Sequence, residues 1–200
     1  MSEPIDVAII DCGGANLASL QYALERLGAR SYLSCDPAAI AAAPRVLLPG
    51  VGAAADAMRR LRATGLDRLI PQLQVPVLGV CLGMQLLYEH SSEGDTRCLG
   101  ILAGRIEQLT PGPGMPVPHM GWNTLELTAE DPLLAGIGAA DYVYFVHGYA
   151  ASPDEHTLAA VHYGKALAAA VRRGNFRGVQ FHPERSAAVG ARVLKNFLGL

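Results

Sequence analysis

Three short apolar runs set the terms on which this chain can fold. Val7-Ala8-Ile9-Ile10, Val46-Leu47-Leu48 and Val77-Leu78-Gly79-Val80 show no alternation of apolar and polar side chains. A strand without alternation is buried on both faces, as in a parallel sheet covered by helices. Helical stripes separate the runs. Leu17, Leu20, Leu24 and Leu27 line one helical face, with Asn16 as a candidate N-cap and Gly28 as the stop. Ala55, Met58 and Leu61 mark a second helix ending near Gly65, and a third is predicted from Met84 to His90. Strand alternating with helix predicts an α/β chain: a layered sandwich whose central sheet is mostly parallel, with helices on both faces.

From Gly104 onward the pattern changes. The runs 105–109, 124–127, 142–147, 158–162, 166–171 and 178–181 predict a β-rich second half that includes antiparallel strands. Pro111-Gly112-Pro113-Gly114 reads as a surface loop rather than a boundary, so residues 1–200 are expected to form one domain. A last helix is predicted from Ser186, with Val189, Val193, Leu194 and Phe197 on its inner face.

Composition removes several classes of function. Sixteen basic and eighteen acidic residues leave a net charge of −2, which argues against broad electrostatic binding to nucleic acid or anionic lipid. The most apolar stretch, 75–88, is interrupted by Pro76, Gly79, Gly83 and Gln85 and falls short of the roughly 18 residues that suggest a membrane span. The N-terminus has no basic start and only a short apolar run, which does not read as a signal peptide. Cysteines at 12, 35, 81 and 98 form no CxxC pair, so free thiols in a reducing cytoplasm are expected. No metal-binding motif is present, and neither a metal nor another cofactor is expected.

The most informative pentapeptide is Gly79-Val80-Cys81-Leu82-Gly83. It places a thiol where an apolar strand turns sharply into a helix, the logic of a nucleophile elbow. A helix N-terminus favours negative charge and hence the thiolate, the reactive form of cysteine. A thiolate nucleophile needs a base, and six histidines compete for the part. His182 follows a strand and has Glu184 two residues on, on the same side of an extended chain. Glu184 can then hold one ring nitrogen while the other faces the thiol. Acyl chemistry also needs donors for a tetrahedral oxyanion. Gly50-Val51-Gly52 can present backbone N–H groups of Val51 and Gly52, and Leu82, just after the nucleophile, supplies another. The same glycines fit a dinucleotide fingerprint, Gly50-x-Gly52-x-x-Ala55. That reading lacks the acidic residue expected at the end of the next strand, and Pro49 intrudes at the turn.

With these residues in view, the chain resembles the class-I (triad) glutamine amidotransferases, nearly end to end. The narrower match is to the glutaminase subunits of imidazole glycerol phosphate synthase. It rests on Pro118-His119-Met120-Gly121-Trp122-Asn123 and Tyr144-Phe145-Val146-His147 beside the elbow and Gln180-Phe181-His182-Pro183-Glu184. The resemblance implies a flavodoxin-like three-layer fold and a Cys81-His182-Glu184 triad that hydrolyses L-glutamine through a glutamyl thioester. It implies that Gln85, Glu93, Tyr144, His147 and Gly148 bind substrate, the last three chiefly through backbone. It also implies a heterodimer with a (β/α)₈-barrel cyclase subunit of histidine biosynthesis, to which ammonia is passed. Asn16, Met120, Trp122, Asn123 and Arg185 match the partner-facing positions. Gly148 stands where the family usually has a hydroxyl residue, and Arg185 where lysine is common. Two other readings remain: the same glutaminase serving a different client, and a regulatory domain that has kept the fold without the activity.

Overall fold

The computed structural model describes residues 5–11 and 17–200. The first half alternates strand and helix: β1 (Asp6–Ile10), α1 (Leu17–Arg26), β2 (Arg30–Ser34), α2 (Pro37–Ala42), β3 (Val46–Gly50), α3 (Ala54–Thr64), α4 (Leu66–Leu69), β4 (Val77–Cys81) and α5 (Leu82–Gln85). The second half is mostly strand: β5 (Tyr88–Ser91), β6 (Thr96–Arg97), β7 (Leu102–Gln108), β8 (His119–Thr124), β9 (Glu126–Leu127), β10 (Tyr142–His147), β11 (Tyr149–Ala150), β12 (Thr157–Tyr163), β13 (Lys165–Arg173) and β14 (Phe176–Val179), closed by α6 (Ala187–Leu198).

The central sheet has eight strands in the order β2-β1-β3-β4-β14-β13-β12-β9. Its first five run parallel and the last three pair antiparallel. The apolar runs behave as continuous apolarity requires. In β1, Val7 and Ile9 enter one core and Ala8 and Ile10 the other; in β3, Leu47 faces the first core while Val46 and Leu48 face the second. α1 and α6 cover the first face through Leu20, Leu24, Val193 and Phe197. α2, α3 and α4 cover the second through Ile40, Met58, Leu61 and Leu66. No helix among the described residues is long and apolar enough to cross a membrane.

The structure departs from the sequence reading after Cys81, at β2 and α2, and after His182, where Pro183–Arg185 is a 3₁₀ turn rather than extended chain. The helix predicted from Met84 to His90 is a single turn, after which the chain becomes β5. Every residue from Leu82 to Tyr88 is buried, so no amphipathic stripe holds a helix in place. The N–H groups of Ile101 and Leu102 both reach the Leu87 carbonyl at 2.8 Å and draw this segment into a second, smaller sheet. β2 and α2 have no counterpart in the apolar pattern, because β2 is an edge strand with no buried residue and α2 buries only Ile40. The proposed cap Asn16 lies outside the described residues.

Candidate active site

Cys81 ends β4 and begins α5 with φ at +54° and ψ at −112°. A non-glycine residue in this region stores on the order of 1–3 kcal/mol of strain, tolerated only where the surroundings over-determine it. The flanking glycines supply that constraint. A Cβ on Gly83 would lie 1.7 Å from the Leu48 carbonyl oxygen, and one on Gly79 would lie 2.7 Å from the Gly83 carbonyl group. Only glycine at both positions lets the turn fold back tightly against β3. The Cys81 sulfur is then held between the Val146 carbonyl at 3.7 Å and the Gln180 side-chain amide at 3.8 Å.

β14 runs beside β4 and delivers His182 to the same end of the sheet. His182 Nδ1 meets Glu184 Oε1 at 2.8 Å, and its Nε2 is buried without a hydrogen-bond partner. Burial alone would push this imidazole down. The Cys81 side chain and the Glu184 carboxylate outweigh it and raise His182 from 6.5 to about 10. A charged imidazolium beside a sulfur is the arrangement that a thiolate nucleophile requires. The segment is fastened to β10 from both sides. The His182 N–H donates to the Tyr144 carbonyl at 2.9 Å. Buried Ser186 donates to the His182 carbonyl at 2.7 Å and accepts the Tyr144 N–H at 2.9 Å.

These groups open on one cavity of about 740 Å³. It brings together most of the residues singled out from sequence: Val51, Gly52, Cys81, Leu82, Gln85, Glu93, His147, Gly148, His182, Glu184 and Arg185 all line it. Gly50 is pressed against α5, where a Cβ would lie 2.9 Å from that of Leu82, and Gly52 turns with φ at +87°. Gln85 is buried and donates to the Tyr149 carbonyl at 2.8 Å and to Gln180 Oε1 at 3.0 Å. Glu93 accepts the Ala54 N–H at 2.7 Å, so it caps α3 across the cavity rim, where Ala53 has no side chain to do so.

A nucleophilic thiol, a base oriented by a carboxylate and a glycine turn at a single cavity are equipped for acyl transfer. Comparison with known proteins agrees. The family model for class-I glutamine amidotransferases matches residues 8–199. This chain belongs to that family. It is 55% identical to the imidazole glycerol phosphate synthase subunit HisH of Xanthomonas axonopodis pv. citri (strain 306), over 96% of each chain. It is 53% identical to the HisH subunit of Xylella fastidiosa (strain Temecula1 / ATCC 700964), again over 96% of each. A crystal structure of a glutamine amidotransferase superposes with a TM-score of 0.75 at 20% identity, covering 96% of this chain and 97% of that one. This likeness shows the fold.

Other predicted residues of this amidotransferase stand outside the cavity lining. Tyr144 lies on the outward face of β10, its ring 5.8 Å from Trp122 and under the Arg185 guanidinium at 4.6 Å. The pairing of β8 with β10 sets Trp122 opposite Tyr144 and Met120 opposite Val146. Met120, Trp122 and Tyr142 are exposed, giving an aromatic patch that ends where Val146 enters the cavity. Asn123 turns the other way, donating to the His162 carbonyl at 3.1 Å. Sequence reasoning missed Gln180 and Ser186. Gln180 had a partial signal in its two-residue spacing from His182, but the chain is not extended as far as Glu184. Pro183–Arg185 forms a 3₁₀ turn, and it is this turn that carries the carboxylate to His182 Nδ1. Ser186 had none beyond its candidacy as the start of a helix.

Proposed function

We propose that the chain, acting as one domain over residues 1–200, is the glutaminase subunit of an imidazole glycerol phosphate synthase. Cys81 attacks the side-chain carboxamide carbon of L-glutamine. The oxyanion that forms is met by backbone N–H groups of Val51 or Gly52 and of Leu82. His182 protonates the departing ammonia, leaving a glutamyl thioester. Water, deprotonated by the same imidazole, then releases glutamate and restores the thiol. Glu184 keeps the ring in its working orientation. Gln85, Glu93 and the backbone from Val146 through Gly148 bind the substrate, whereas Tyr144, its backbone taken up by Ser186 and His182, supports that segment from outside the cavity.

The observation that carries this reading is the meeting of the strained Cys81 elbow and the His182–Glu184 pair in one cavity. The identity to HisH subunits supports the choice of client. The partner is a cyclase subunit with a (β/α)₈ barrel, which receives the ammonia and makes imidazole glycerol phosphate and an aminoimidazole-carboxamide ribonucleotide in the cytoplasm. Met120 and Trp122, with Arg185 at the cavity's rim, form its docking face; the family resemblance adds Asn16, outside the described residues, and Asn123, whose side chain turns inward to the His162 carbonyl.

The test is glutamate release from glutamine by the chain alone, then with the cyclase subunit and its nucleotide ligand. Little activity alone and a large rise with both is the expected result. Cys81→Ala abolishes glutamine-dependent turnover while added ammonium still supports the cyclase. Full glutamine-dependent activity in that variant would overturn the nucleophile assignment.

A further inference from the structure

His119 and His147 face each other across the β8–β10 pair, turned inward from the exposed Met120 and Trp122. Both are buried, and burial lowers each imidazole from 6.5 to about 4, so both are neutral. A neutral imidazole has one donor and one acceptor nitrogen, so its partners decide its tautomer. His147 Nδ1 is 2.9 Å from the Tyr149 carbonyl, which can only accept. The proton of His147 is therefore on Nδ1, and its Nε2 must accept. That Nε2 is 3.1 Å from His119 Nδ1, which must then carry the His119 proton. His119 Nε2 is left as an acceptor, and the Asn123 amide lies 3.5 Å away. The amide's orientation is set independently, because Asn123 Oδ1 accepts the Thr124 N–H at 2.9 Å. Every donor in this series points the same way, from Asn123 toward the Tyr149 carbonyl.

The Tyr149 carbonyl is also where Gln85 donates, and Gln85 holds Gln180, whose amide donates to the Cys81 sulfur. One backbone oxygen thus joins the imidazole pair to the amides that position the nucleophile. The His119 ring is clamped between Tyr163 at 4.0 Å and Phe145 at 4.8 Å, so it is not free to turn away.

We propose that His119 is a positioning residue for the glutaminase centre, acting through His147 and the Tyr149 carbonyl on the amides that hold Cys81. The role rests on the glutaminase reading above. Without the His119 donor, His147 Nε2 is a buried acceptor with no partner, which weakens the hold on the ring and, through it, on the carbonyl shared with Gln85. Small displacements of a nucleophile cost rate more than binding.

The experiment compares three variants in the complex with the cyclase subunit and its ligand. His119→Phe keeps the stack on Phe145 and Tyr163 but has no donor. His119→Asn places an amide N–H where Nδ1 stood, and His119→Gln, equally polar, carries its amide one bond further out. The expected result is a kcat for glutamine roughly 10- to 100-fold lower in His119→Phe and His119→Gln, with KM within about threefold. His119→Asn recovers most of the rate. Imidazole ¹⁵N shifts of the wild type should show Nδ1–H tautomers at both His119 and His147. An Nε2–H tautomer at either residue would overturn the network, whatever the substrate. Wild-type kcat in His119→Phe, or equal losses in His119→Asn and His119→Gln, would overturn the positioning role. Should His119→Phe fail to fold, the comparison of Asn with Gln decides. Wild-type protein that releases no glutamate under these conditions overturns the glutaminase reading instead, and the positioning role with it, while the ¹⁵N shifts still judge the network.

Discussion

At the scale of single residues, the site combines one imidazole pushed up and two pushed down, and these have opposite consequences for stability. His182 titrates at about 10 in the folded protein against 6.5. Its contribution is fully present below pH 6.5 and is lost as pH rises through 10. His119 and His147 titrate near 4, so the unfolded chain binds their protons first. Their contribution is present above pH 6.5 and is lost as pH falls through 4, by about 3 kcal/mol for each residue. Urea midpoints measured from pH 7 to pH 4 should fall steeply, and His119→Phe should flatten that slope. Glu184→Gln leaves Nδ1 of His182 without its carboxylate, and kcat for glutamine should drop on the order of 100-fold or more with the fold intact. The Cys81, His182 and Glu184 set was legible in the sequence because its cues are local: a five-residue elbow and a two-residue spacing. Ser186 and His119 make their contacts with β10 across the fold, and no local pattern announces them; Gln180 had a spacing cue, but its contact with Cys81, 99 positions away, did not follow from it.

At the scale of elements, close approach matters more than propensity. α6 sits so near the His182-Pro183-Glu184 segment that a Cβ on Gly190 would lie 1.9 Å from the Pro183 carbonyl oxygen. Gly190→Ala must push the helix from the segment that carries the base. A loss of about 3 kcal/mol of stability and a fall in kcat larger than in KM are expected, read by thermal melts and steady-state kinetics. The sequence read α1, α3 and α6 from their apolar stripes, since each buries one face against the sheet, although in α3 the buried face takes Ala54 with Met58 and Leu61 and leaves the predicted Ala55 exposed. It misread the segment after Cys81, where uniform burial removes the stripe on which such a reading depends. The short α5 also limits the dipole at the elbow to one turn, so the charged His182 is the stronger stabiliser of a negative sulfur.

At the scale of the whole molecule, the two-stranded sheet of β8 and β10 joins the exposed aromatic patch to the cavity. Exposed Trp122 stacked edge-on against Tyr144 is suited to anchor a partner. Trp122→Ala should weaken binding to the cyclase subunit by about 2 kcal/mol, measured by calorimetric titration, and leave the melting temperature of the free chain nearly unchanged. Continuous apolar runs, helical stripes and turn glycines act over a few residues, so the α/β order, the parallel half of the sheet and the nucleophile elbow were decided by the sequence itself. The sheet's strand order, the single-turn α5 and the hydrogen bonds that hold Cys81, His182 and His147 were decided only by tertiary packing. The physical reason is range: a backbone dihedral or an apolar period is local, whereas a buried donor is satisfied by whichever acceptor the packed layers bring within 3 Å of it.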